Sequence, residues 1–168
     1  MKTCNKKIRN AIVCKDGGIT FKSQLEKMAY NTLTELGFKP LYEPRRITLV
    51  EGFIPTVPFY NKETDKQQQN RIEEGSDIKH KLLKEQYTRV LPITYTPDIY
   101  FNYKGVDIWI ELKGIENDCY YLKKKLFRLY LEKQKELGCK SMFFEVYSKK
   151  QLFQVVDIIK SKQWKEKV

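Results

Sequence analysis

Hydrophobic and polar positions alternate with a period of two along Tyr95-Thr96-Pro97-Asp98-Ile99-Tyr100-Phe101 and again along residues 106–114, the spacing of side chains on a strand. β-branched and aromatic residues dominate both stretches, and Asn102-Tyr103-Lys104-Gly105 between them is a turn signal, so the pattern predicts two strands joined by a tight turn. In the second, Val106, Ile108, Ile110 and Leu112 make a nearly pure apolar face, opposite Asp107, Trp109, Glu111 and Lys113. In the first, Pro97, Ile99 and Phe101 oppose Thr96, Asp98 and Tyr100. The apolar faces belong in a core, which leaves two acids and a lysine together on the other face.

Elsewhere the period changes. Leu25, Met28, Ala29, Thr32, Leu33 and Leu36 recur every three or four residues, predicting a helix over about 23–36. Ser23 is its N-cap, Glu26 stands at the capping-box position, and Gly37 ends it. Asp16-Gly17-Gly18 marks a turn before Ile19, and Arg45-Arg46-Ile47-Thr48-Leu49-Val50 reads as a strand. A helix is predicted from Asn117-Asp118 to about Leu137, burying Leu122, Leu126, Leu129, Tyr130 and Leu137 and closed by Gly138. A strand over 141–147 and a helix over 149–159 follow, the latter with Leu152, Val155, Val156 and Ile159 inward and a basic tail after it. The order of helix, three strands, helix, strand, helix predicts an α/β fold: a mixed central four-stranded sheet flanked by helices.

From Glu51 to about Arg89 the pattern dissolves. Pro55 and Pro58 interrupt the first part, residues 61–80 are dense in Lys, Glu, Asp and Gln, and Ile78, Leu82, Leu83 and Tyr87 offer only a weak helical stripe. The reading is one domain over 1–168 with a charged insertion at about 52–91, either a surface insertion or a charged helical excursion.

Composition narrows the function. The chain has 168 residues, 41% hydrophobic and 13% aromatic, which is globular composition. Lys and Arg number 32 against 21 Asp and Glu, a formal net charge of +11, which favours a polyanionic partner: nucleic acid first, an acidic membrane surface second. No apolar run approaches the about 18 residues of a membrane span, and the basic start Met1-Lys2-Thr3-Cys4-Asn5-Lys6-Lys7-Ile8-Arg9 lacks the apolar stretch of a signal peptide. Cys4, Cys14, Cys119 and Cys139 are scattered without a CxxC pair, as expected of thiols in a reducing, cytoplasmic compartment. His80 is the single histidine, which sets aside mechanisms built on a histidine pair or triad.

Two carboxylates on neighbouring strands, with a third from a packed helix, suit a hard divalent cation. On this reading Asp98 and Glu111 hold Mg²⁺, with Mn²⁺ as its substitute, and Glu26 joins them directly or through water. Lys113 lies on the Glu111 face and would orient the attacking water or neutralise developing charge. The plain alternatives are solvated sheet-face charges for the strand residues and a helix-start role for Glu26. Asp107 is expected in a salt bridge or turn contact, and Trp109 in packing beneath a helix.

Pro97-Asp98 followed thirteen residues later by Glu111-Leu112-Lys113 resembles the PD-(D/E)XK nuclease signature. Asp16-Gly17-Gly18-Ile19-Thr20-Phe21-Lys22-Ser23-Gln24-Leu25-Glu26, Tyr42-Glu43-Pro44, Tyr95-Thr96-Pro97-Asp98 and Trp109-Ile110-Glu111-Leu112-Lys113-Gly114 together resemble phage-encoded nucleases akin to endonuclease I-type Holliday junction resolvases. The likeness spans about residues 16–147 apart from the insertion. It implies a restriction-endonuclease-like core in which Asp98, Glu111 and Glu26 bind Mg²⁺ and Lys113 assists hydrolysis of a DNA phosphodiester. It further implies a branched substrate, a homodimer to cut two symmetric strands, and action in the cytoplasm of a bacterial host. Glu43 matches a recurrent acid of that branch, with no role assigned.

The basic run Lys123-Lys124-Lys125-Arg128 follows the motif directly. It is read either as a solvated helix face or as a phosphate-binding face giving salt-dependent, sequence-independent affinity. The resemblance singles out Lys125 and Arg128 as residues of the following helix that assist the site. Two further readings stay open: a non-catalytic basic phage DNA-binding protein that keeps the fold, and a virion or assembly protein contacting packaged DNA.

Overall fold

The computed structural model describes residues 13–114 and 118–161. The basic N-terminal run with Cys4, Asn117 at the expected start of the long helix, and the basic tail lie outside the described residues. The chain divides into two compact units at Leu49/Val50 and at Ile93/Thr94.

In the first unit, Gly17 and Gly18 both take positive φ and turn β1 (Cys14–Asp16) back onto β2 (Ile19–Phe21). Helix α1 (Gln24–Glu35) starts where predicted, with the Ser23 side chain accepting from the Glu26 N–H. It ends in a Schellman motif: Gly37, at φ 85°, donates to the Thr34 carbonyl, and Phe38 to the Leu33 carbonyl. The chain then passes through β3 (Leu41–Tyr42) and β4 (Ile47–Val50).

The second unit runs through β5 (Phe59–Lys62), α2 (Asp65–Glu73) and β6 (Leu83–Gln86). The segment without a hydrophobic period therefore does have structure. β5 and β6 pair antiparallel, and Thr64 and Gln67 cap α2 with a complete capping box. Ile78 and Leu82 lie outside any helix and Leu83 is on β6, so the weak stripe was not helical. The reason is polar organisation. Arg71 on α2 binds the Glu63 carboxylate at 2.9 Å, the Ser76 hydroxyl at 2.8 Å and the carbonyls of Ile78 and His80. Among the described residues of this unit only Glu63 is buried, and a hub of hydrogen bonds leaves no apolar period to read.

Back in the first unit come β7 (Ile93–Tyr95), β8 (Ile99–Tyr103), β9 (Val106–Leu112), α3 (Asp118–Glu136), β10 (Ser141–Val146) and α4 (Lys149–Ser161). The four-stranded sheet has the order β10-β9-β8-β3, with β10 parallel to β9 and the other pairs antiparallel. The fold is thus α/β with a mixed sheet, and two expectations are corrected. Residues 47–50 do not join this sheet: β4 pairs with β7, and the edge strand is the two-residue β3. The expected strand over 95–101 is broken at Thr96-Pro97-Asp98, between β7 and β8.

Both faces of the sheet are covered. Ile99 and Phe101 of β8 and Val106, Ile108, Ile110 and Leu112 of β9 meet Ala29 and Leu33 of α1 and Leu152, Val155, Val156 and Ile159 of α4. On the opposite face Tyr95, Trp109 and Ile47 pack with Tyr120 and Phe127 of α3. Trp109 does lie beneath a helix, edge-on to Phe127 at 5.7 Å. Helix α3 is turned differently from the leucine stripe. Leu122, Leu129 and Leu137 are 54%, 53% and 76% exposed, while Tyr120 and Phe127 are buried, with Tyr130 and Leu131 packed against them. The aromatic stripe wins because the sheet face it meets is itself aromatic, and ring pairs add to the burial term.

Candidate functional site

The site is set by a hairpin. Lys104 and Gly105 have φ of 50° and 78°, the paired left-handed conformations of a type I′ two-residue turn. Asn102 Oδ1 accepts from the Gly105 N–H at 3.1 Å. This turn pairs Tyr103 with Val106 and, four steps on, Ile99 with Ile110. The register ends at this pair, and Asp98, in the bend just before β8, lies close enough to Glu111 to feel its charge. The hairpin thus brings acids thirteen residues apart in sequence into one neighbourhood. The strand break before β8 helps: Asp98 Oδ2 accepts from the Leu112 N–H at 2.7 Å, pinning the acid to the end of β9.

Glu111 is buried at 3% exposure. The Tyr95 hydroxyl donates to its Oε2, and the Lys113 ammonium pairs with its Oε1. Burial and the Glu111 charge push Asp98 up to about 8. The Leu112 N–H opposes the rise, Glu26 adds to it, and Lys113 opposes it. The crowding favours retention of one proton by the Asp98–Glu111 pair. Burial and the same Glu111 charge raise Tyr95 too, keeping its phenol a donor. Asp107 makes turn contacts: it accepts from Tyr100 at 2.8 Å and from Asn102 at 3.0 Å.

Glu26 sits at the start of α1, buried, within electrostatic reach of Asp98. Its carboxylate accepts from the Lys22 N–H at 2.9 Å, the Ser23 hydroxyl at 2.9 Å and the Tyr42 hydroxyl at 2.6 Å. This is a capping box displaced by one residue, because the reciprocal bond comes from Lys22 rather than from Ser23. Glu43, at φ 42°, donates its N–H to the Asp98 carbonyl at 2.8 Å and pairs through its side chain with Lys22. Lys22 is raised by Glu43 first, and by Asp98 and Glu26.

Lys113 has further partners on the α3 side. Its Nζ lies 4.0 Å from the centroid of the Tyr120 ring. Tyr120 donates to Glu145 Oε1 at 2.6 Å, and Lys124 pairs with Glu145 Oε2 at 2.7 Å. Glu145 is in register with Glu111 across the parallel β9–β10 pair. Burial and its bond to Glu145 raise Tyr120. The basic run is thereby split. Lys124 is directed to Glu145 and Lys123 is half-buried, while Lys125 and Arg128 are exposed.

Sequence reasoning passed over Tyr42, Tyr95, Tyr120, Glu145 and Lys22. Glu145 stands in an apolar strand and Tyr95 lies two residues before the Pro97-Asp98 pair, signals visible but without a partner until the strands are paired.

Among the described residues no three His, Cys, Asp or Glu groups gather closely enough to hold a metal ion. Asp98 and Glu111 are the two that could. Their donors are all oxygen, and Mg²⁺ commonly takes one or two carboxylates with water completing its shell. The crowding that keeps a proton on the pair is what a divalent cation relieves. No described helix is long and apolar enough to cross a membrane. Comparison with protein-family models, with curated proteins and with solved structures returns no match.

Proposed function

We propose that the chain is a Mg²⁺-dependent endonuclease hydrolysing DNA phosphodiesters, its mixed sheet being a restriction-endonuclease-like core of the PD-(D/E)XK type. The observation that carries the reading is the gathering of Asp98, pinned to the Leu112 N–H, beside Glu111 at the end of β9, with Lys113 on the same acid. Mg²⁺, or Mn²⁺ in its place, would supply charge neutralisation at the scissile phosphate and a more acidic water. Asp98 and Glu111 would present the oxygens that hold it, and the pair must give up its proton to do so. Lys113, steadied over the Tyr120 ring, would exchange its contact with Glu111 for one with the phosphate or the incoming water. Glu26 would add negative potential and hold the approach of Lys22 and Tyr42 rather than donate a ligand of its own. Lys125 and Arg128 would contact backbone phosphates, with Lys123 and Lys124 contributing charge nearer the sheet. Branched DNA and a homodimer are the substrate and assembly that the resemblance implies.

A second reading, a DNA-binding protein without catalysis, is favoured by one observation: both oxygens of Glu111 are already engaged, by Tyr95 and Lys113. The two separate on supercoiled plasmid and a synthetic four-way junction, each with Mg²⁺ or with EDTA, alongside Lys113→Ala. The nuclease reading expects nicking by wild type only with metal, and none by Lys113→Ala at retained DNA affinity. Binding without nicking in either Mg²⁺ or Mn²⁺ would overturn it and leave the binding protein.

A further inference from the structure

The second unit carries a cleft of about 530 Å³, within the usual range for sites that enclose a small ligand or a nucleotide base. It lies on one face of the two-stranded β5–β6 sheet. Phe59 pairs across the strands with Gln86 and Asn61 with Lys84, so all four side chains share that face. The wall is continued by the bridge between Phe53 and Val90, whose N–H and C=O groups exchange bonds at 3.0 and 2.8 Å. Gly52 makes this close approach feasible, since a Cβ there would lie 2.7 Å from the Val90 carbonyl oxygen.

The lining combines flat apolar rings with hydrogen-bonding edges. Phe53 and Phe59 both line the cleft and are 56% and 59% exposed, so their faces are open to a ligand. Around them stand Asn61, Gln86, Thr88 and Arg89. Asn61 uses its carbonyl oxygen on the Lys62 N–H at 2.8 Å, which leaves its amide N–H groups for a ligand. Arg89 makes no hydrogen bond or ion pair among the described residues. No carboxylate lines the cleft among the described residues, whereas Arg89 lines it and Lys84 shares the sheet face.

We propose that this cleft is a stacking site for an unpaired base of single-stranded DNA, with Arg89 and Lys84 on the adjoining phosphates. A base offers a π-face to the phenylalanines and donor and acceptor edges to the amides, and its backbone matches the cations and the absence of acids. The inference extends the proposed nuclease reading by adding a hold on unpaired bases, such as those exposed where duplex arms branch, and it rests on that reading for the identity of the polymer.

The test is fluorescence anisotropy in EDTA, where no cleavage can occur. The full chain is titrated with an oligo-dT strand, an abasic strand of the same length, and a blunt duplex. Phe59→Ala should weaken dT binding by about 5- to 150-fold, the range for losing one stacked base, and leave the abasic strand and the duplex unchanged. Arg89→Gln should weaken the dT and abasic strands alike and make the logarithmic salt slope shallower by about one. Both side chains are exposed, and circular dichroism checks that the variants fold. Equal dT binding by wild type and Phe59→Ala would overturn the inference, as would an abasic strand bound as tightly as dT. A wild-type dimer that Phe59→Ala dissociates, with dT binding unchanged, would overturn it in favour of contact with a second copy. A chain that never nicks DNA yet shows base-dependent binding loses the nuclease reading and keeps this one; nicking without base dependence does the reverse.

Discussion

Replacing Asp98 with asparagine should stabilise the metal-free protein at neutral pH. In the folded chain, burial beside Glu111 raises Asp98 from 3.8 to about 8. Because the folded value lies above the unfolded one, the stability this group contributes is complete below pH 3.8 and is lost as pH rises through the folded value. Across that window folding takes up close to one proton, so stability falls by about 1.4 kcal/mol per pH unit. Between roughly pH 5 and pH 7.5 the loss is about 3 kcal/mol, which for a chain of this size is roughly 6–12 °C in Tm. Asparagine carries no proton to lose, and its carbonyl oxygen can keep the bond from the Leu112 N–H. Thermal unfolding followed by circular dichroism over this range, in EDTA, should therefore show wild type losing stability with pH and Asp98→Asn holding it. The two curves should converge toward acid. Added Mg²⁺ should raise the wild-type Tm most at the higher pH, where the cation meets the ionised pair, and should leave Asp98→Asn nearly unmoved. A wild-type Tm that is flat between these limits, or an Asp98→Asn variant less stable at every pH, would refute the argument that the two acids crowd one another.

The other predictions concern the scaffold. Phe127→Ala should cost about 3–5 kcal/mol by emptying the centre of the aromatic core, whereas Leu129→Ala on the exposed side of α3 should fall within about 0.5 kcal/mol; urea denaturation of both measures which face of α3 is packed, and equal losses would contradict the observed turn of the helix. Gly105→Ala should lower stability by about 1–2 kcal/mol, the cost of a left-handed residue with a Cβ, since nothing within 4 Å would obstruct the added atom. A neutral result in the same denaturation assay would contradict the positive φ at the turn that sets the β8–β9 register.

What could be read along the chain was what is local. Alternation assigned the faces of β8 and β9, and Ser23 and Gly37 bounded α1 within a residue, because caps and pleats depend on neighbours in sequence. The separation of Asp98 from Glu111 belongs here too: a two-residue turn at Lys104-Gly105 sets the β8–β9 register that carries the start of β8 to the end of β9. What only the tertiary structure decided depends on which surface meets which. Helix α3 offers leucines on one side and aromatic rings on another, and Tyr95 and Trp109 on the sheet select the rings. β3 is too short to show a period, and its pairing with β8 is what brings Tyr42 and Glu43 to Glu26 and Asp98. Glu145 reaches the Lys113 surroundings through a parallel pairing across the whole length of α3, and no spacing rule connects it to Glu111. The second unit is ordered around one ion pair, the buried Glu63 with the half-buried Arg71. Charge that looks like a solvated tract in sequence becomes structure only when a specific partner replaces its water.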